Sequence, residues 1–198
     1  MMMNTTKKDI ETFRPASRQE WRQWLQEHHN DKPSVWLIQY KKEANLPTLT
    51  WSESVDEALC FGWIDSLRKS VDDKTFMQFF CKRKPTSVWS KINKAKVQRL
   101  IDEGLITRAG HESIETAKQN GSWSILDHVE ELLIPKDLEK EFKSHRGSKA
   151  FFMGLSKSAQ KAILQWLVLA KRPETRQKRI DEIAELAAQK MKPKQFYY

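Results

Sequence analysis

Two seven-residue runs, Ser34–Tyr40 and Thr75–Cys81, constrain this chain most. Each is dense in β-branched and aromatic residues, and each predicts a strand. The segment Trp63–Ser70 alternates in part, with Ile64, Ser66 and Arg68 facing one way and Asp65, Leu67 and Lys69 the other. It predicts a third strand, joined to Thr75–Cys81 through the turn residues Val71–Lys74. Beyond Pro85 no such run recurs, and apolar residues fall at helical spacing instead. The expected fold is therefore α+β: a small antiparallel sheet of about three strands in the N-terminal half, packed with helices, then a mainly helical C-terminal half.

Helix boundaries are marked by their caps. Ser17 caps a helix running to about His29, and Thr50 or Ser52 a second one bearing Val55, Ala58 and Leu59. In that second helix Glu53, Asp56 and Glu57 sit near the positive end of the dipole. Ser90 caps a helix through Glu103, closed by Gly104 in the left-handed conformation. Thr107 caps the next, which ends at Asn120-Gly121. Pro135 opens a short helix with Leu138 and Phe142, and Ser148 caps Phe151–Met153. Ser156 starts a helix with Ala159, Ile163, Trp166, Leu167 and Ala170 in one stripe. Pro173 opens the last helix, which buries Ile180, Ile183, Ala184, Leu186 and Ala187. The domain reading is a frayed terminus over 1–12, an α+β core with a basic helix pair over 13–134, and a helical region over 135–198 packed on that core.

Composition narrows the class. The 198 residues are 39% hydrophobic and 31% charged, with eight Trp and nine Phe, so the chain is aromatic enough to fold. No apolar run approaches the roughly 18 residues that would span a bilayer. No secretory h-region opens the chain, and two cysteines are too few for a disulfide framework. The expected compartment is the cytoplasm. The histidines and cysteines show no metal-ligand spacing, and neither a Gly-rich phosphate loop nor a nucleophile elbow occurs. No catalytic residue, metal or cofactor is assigned.

The net charge of +9 points to an anionic small molecule or macromolecule as partner, nucleic acid included. Lys82, Arg83, Lys84, Lys91, Lys94, Lys96 and Arg99 form one basic stretch without an acid, with Trp89 in its middle. The ligand surface is expected where the hairpin meets the Ser90 helix, at Trp63, Asp65, Arg68, Arg83, Trp89, Ser90, Lys91 and Asn93. There the arginines and Lys91 engage the anion, Trp89 stacks or walls the ligand, and Asp65 orients a cation or hydroxyl. The bland alternative is a wet basic helix with Trp89 as a core anchor. A second cluster, Lys171, Arg172, Arg176, Lys178 and Arg179, lies at a helix corner with Pro where DNA-reading corners usually have Gly. A small-molecule enzyme built on Asp65 is a further alternative.

Several motifs together resemble the YdeI/OmpD-associated family of bacteriocin-protection proteins. They are Glu57–Ser66, Asp72-Asp73, Arg83-Lys84-Pro85, Val88–Asn93, Arg99–Thr107 with Gly110, and Ala170–Arg176 with Arg179-Ile180. The resemblance runs from about residue 13 to 190. Ser66 departs from it, standing where the family more usually has Gly. What the resemblance implies is a cytoplasmic bacterial protein with a bacteriocin-protection role and no catalytic residue to carry over; action by binding at the clustered aromatic and basic residues is the reading of the residues themselves, with sequence-tolerant nucleic-acid binding as its alternative. Oligomeric state and ligand are not implied by the resemblance.

Overall fold

A computed structural model describes residues 10–44, 46 and 48–197. Residues 1–9, expected to be frayed, lie outside the described residues. The fold is α+β, with a four-stranded mixed sheet in the N-terminal half and a mainly helical C-terminal half. The chain divides into two compact units. One comprises the residues up to Ser87 together with Ile92–Ser122, the other Val88–Lys91 together with Trp123–Tyr198.

In the first unit the strands are β1 (Thr12–Phe13), β2 (Ser34–Tyr40), β3 (Trp63–Ser70) and β4 (Thr75–Lys82), in the order β1-β2-β4-β3. The fourth strand is β1, which pairs parallel with β2. Thr12, expected to be frayed, is therefore tied into the sheet. The β3–β4 pairing slips between Asp65 and Arg68, where Asp65 opposes Phe80 and Arg68 opposes Gln78. One extra residue there puts Asp65 and Arg68 on the same face, contrary to simple alternation. The bulge falls at Ser66-Leu67, and neither residue has positive φ, so no glycine is needed.

Helices α1 (Arg18–His28) and α2 (Trp51–Cys60) cover one face of the sheet. Ser17 caps α1 by accepting from Glu20 N, and Thr50 with Glu53 forms a reciprocal capping box on α2. Trp21 of α1 lies 5.4 Å from Phe80 of β4, and Trp24 meets Trp63 edge-on at 5.9 Å. Behind them follow α3 (Lys91–Asp102) and α4 (Arg108–Gln119). Gly104 closes α3 at φ +68°, and Leu105 N donates to Leu100 O, the bond expected of a left-handed helix end.

The second unit holds α5 (Asp127–Glu130), α6 (Lys136–Ser144), α7 (Ser148–Gly154), α8 (Lys157–Val168) and α9 (Pro173–Ala188). Its core joins Leu126, Leu138, Phe142, Phe152, Leu164 and Ile183, and Val88 packs against that core. Ser148 is not a helix cap. It is fully buried, and its hydroxyl donates to the carbonyls of Phe142 and His145. The buried stripe of α8 is Gln160, Ile163, Leu164 and Leu167, rotated from the expected one.

A candidate anion-binding cleft

Asp56 and Glu57, adjacent on α2, do not sit on a wet helix face. They are 5% and 2% exposed, and a carboxylate so placed needs cationic partners. Glu57 receives Arg18 at 2.5 Å and Arg22 at 2.7 Å, both from α1. Asp56 receives Lys96 at 2.6 Å and Arg99 at 2.5 Å, both from α3. Two carboxylates thus fasten a helix on either side of α2. The pairing also accounts for two cations of the long basic stretch.

The C-terminal end of α2 is built for close approach. Gly62 has φ +70°, and a Cβ on it would lie 3.0 Å from Ala109 O. A Cβ on Gly110 would lie 2.4 Å from Cys60 O. Through these two glycines the start of α4 rests on the end of α2, and Thr107 is fixed by two bonds to Cys60 O, from its N at 3.0 Å and its Oγ1 at 2.7 Å.

The opening beside this junction is a cleft of about 650 Å³. Arg22, Gln26, His29 and Asn30 line one side, Phe61 the floor, and Arg108 and Glu112 the other side. Arg22 is held in place three ways: by Glu57, by a 2.9 Å bond to Leu105 O, and by the Phe61 ring 5.4 Å below its guanidinium. His29 Nδ1 stands 2.9 Å from Leu25 O. A carbonyl only accepts, so Nδ1 carries the proton and Nε2 is left for another partner. Arg108 bonds Glu112 at 2.8 Å but is largely exposed. Thr107 caps α4, and the first N–H groups of a helix have no intrahelical acceptor. With Glu57 shared between two arginines and Glu112 offsetting Arg108, the walls keep one net positive charge. The cleft can therefore hold an anionic group, while the Phe61 ring, 4% exposed beneath Arg22 and beside His29, serves to position them.

The residues expected from sequence to form the site are distributed as follows. Trp63, Asp65 and Arg68 project from one face of β3. Trp63 is 1% exposed, sealed by Trp24, with its Nε1 donating to His29 O at 3.4 Å. Asp65 accepts from Trp51 Nε1 at 2.9 Å and from Gln78 Nε2 at 3.3 Å. The Arg68 guanidinium stacks 3.8 Å over the Phe76 ring. Arg83 belongs to the same unit; burial pulls its guanidinium down to about 10, while Asp65 acts in the opposite sense. Asn93 also lies in the first unit, half-buried. Trp89, Ser90 and Lys91 cluster with the second unit. There Trp89 is 1% exposed, its ring 5.0 Å from that of Trp123. Neither Trp63 nor Trp89 offers a ring face to solvent. In the second basic cluster Arg176 bonds Asp137 at 2.6 and 3.0 Å, and Arg179 bonds Trp166 O and stacks on the Trp166 ring.

Arg22, Gln26, His29 and Asn30 were not among the expected site residues. Arg22 and Gln26 lie on α1 and His29 and Asn30 just past its end, opposite the buried Trp21, Trp24 and Leu25. A polar stripe alone reads as a solvated face. Among the described residues no group of His, Cys, Asp and Glu is arranged to hold a metal ion, and no helix is long and apolar enough to cross a membrane.

Comparison with known families gives two matches. Residues 13–113 match a family described as a domain of unknown function, DUF8412. Residues 131–190 match the family described as bacteriocin-protection, YdeI or OmpD-associated. The second is the family the sequence resembles, but over a shorter stretch than residues 13–190; the motif Glu57–Ser66 falls within the first. No curated protein and no solved structure matches the chain.

Proposed function

Since the chain belongs to the family described as DUF8412 and carries a YdeI/OmpD-associated segment at residues 131–190, we propose that it is a cytoplasmic bacteriocin-protection protein that works by binding. The ligand is an anionic small molecule, held in the cleft between α1 and α4. The observation that carries this reading is the arrangement of Arg22 over Phe61, with His29 and Arg108 around one opening. An anion there gains charge-assisted bonds from a guanidinium already positioned by Glu57 and Leu105 O, so little side-chain freedom is lost. Free thiols at Cys60 and Cys81 suit a reducing compartment.

The test uses 1-naphthyl phosphate and inorganic phosphate as probes, titrated into the full chain by calorimetry. Arg108→Ala removes an exposed side chain whose loss leaves the core intact. Binding of either probe, weakened at least fivefold by Arg108→Ala, supports the reading. In parallel, cells expressing each variant are challenged with a bacteriocin. A chain that binds neither probe, or protection unchanged in Arg108→Ala combined with His29→Ala, overturns it.

A further inference from the structure

The second unit contains its own cavity, of about 380 Å³, between α5, α8 and the approach to α6. Its lining is unlike that of the cleft. Val129, Ile134, Leu164 and Val168 form an apolar interior, and Ile125 and Leu133 stand at the mouth, 37% and 49% exposed. Leu133 is placed there by its neighbour. Leu132 adopts φ +57°, a conformation that L side chains with a Cβ rarely take. Its own side chain packs on the core, while Leu133 N closes back on His128 O at 2.8 Å. The chain thus accepts a backbone strain that leaves a large apolar side chain half in water.

The polar side chains on its lining include two cations. Lys136 and Arg176 line it together with His128. Asp137 is the adjacent acid, and it turns both carboxylate oxygens to Arg176. The bond holds Asp137 below the usual carboxylate range, so it is ionised and occupied. Lys136 is exposed at the mouth, with neither an ion pair nor a hydrogen bond of its own among the described residues.

The geometry points to a binding site for a soluble medium-chain carboxylate, its aliphatic tail among Val129, Ile134, Leu164 and Val168 and its carboxylate on Lys136. The volume corresponds to roughly a dozen water-sized groups at about 30 Å³ each, which fits a chain of about ten carbons. An exposed cation on the lining of an otherwise apolar chamber complements the single charge of an apolar ligand. The site does not depend on the cleft of the first unit.

Decanoate, below its micelle concentration, is titrated into the full chain and followed by calorimetry and by methyl resonances of Leu164 and Val168. Each methylene removed should weaken binding about threefold to fourfold, so octanoate should bind about tenfold less tightly. Decanol should bind at least fivefold less tightly than decanoate, and Lys136→Gln should erase that difference. Val168→Trp fills the chamber and should abolish binding; Leu133→Asp, at an exposed position, does the same from the mouth should the first variant unfold. The Arg108→Ala variant of the cleft should bind decanoate unchanged. Absence of decanoate binding, equal affinity for decanol, or binding that survives both blocking variants overturns the assignment. So does retention on phosphatidylglycerol vesicles without binding of free decanoate.

Discussion

Replacing Gly110 by Ala tests the junction on which the cleft is built. The added Cβ would stand 2.4 Å from Cys60 O, 2.9 Å from Ile106 Cγ2 and 3.0 Å from Cys60 C. A carbon and a carbonyl oxygen settle at about 3.3 Å or more, so the backbones must part by about 0.9 Å. The nearest atom is main chain, which cannot swing aside as a side chain would. Overpacking of this kind costs roughly 1–3 kcal/mol. Retreat of α4 also stretches both bonds from Thr107 to Cys60 O, at roughly 0.5–1.5 kcal/mol each. Alanine returns about 1 kcal/mol through its better helix propensity. The net expectation is a loss of about 3 kcal/mol, the terms together spanning about 1–5 kcal/mol. Urea unfolding monitored by tryptophan fluorescence should show it as a lowered midpoint with unchanged slope. Gly154→Ala supplies the control, because a Cβ there meets nothing within 4 Å; it should be neutral or slightly stabilising. If Gly110→Ala matched the parent or exceeded it, the claim of close approach between α2 and α4 would be mistaken.

Other expectations concern the buried charges and thiols. Asp56→Asn leaves Lys96 and Arg99 with a weaker partner and should cost roughly 3 kcal/mol in the same unfolding assay; because Asp56 is buried while Arg99 is 44% exposed, high salt should remove only part of that loss. Cys60 is fully buried, and burial pushes its thiol up to about 11; a thiol reagent at pH 8 should leave it unmodified in the folded chain while the half-buried Cys81 reacts slowly. Because the folded thiol holds its proton more tightly than the ordinary value near 9, stability linked to Cys60 is complete below pH 9 and declines as pH rises through about 11. Asp137 is held low by Arg176, so its contribution is present above the ordinary carboxylate range and is lost on acidification; Arg176→Ala should abolish that part of the acid dependence.

Most elements were legible because their signals are local. The caps at Ser17, Thr50, Thr107 and Ser156 are each read from a residue within three positions of the bond it makes. Ser34–Tyr40 forms a strand over its full predicted length. The two-residue strand Thr12–Phe13 was not legible, since its support is a parallel partner more than twenty residues away. The same holds for the bulge in β3, where one skipped residue turns Arg68 to the face of Asp65. The acids of α2 carried a dipole signal that was true of Glu53 and irrelevant to Asp56 and Glu57, whose partners arrive from α1 and α3. Trp89 in a basic run looked like a stacking platform; burial makes it an anchor. The cleft escaped notice because it joins residues 22–30 to residues 107–112, and nothing in either segment alone announces a recess.

Val88 and Trp89 have a consequence for how this chain can be divided. They are encoded amid the first unit yet cluster with the second, Val88 against its apolar core and Trp89 against the Trp123 ring. A graft of residues 131–190 onto another scaffold would deliver four helices without the valine that packs on their core and without the paired rings of Trp89 and Trp123. The inheritable module is therefore larger than the matched stretch and discontinuous, and it moves intact only when residues 88–91 move with it.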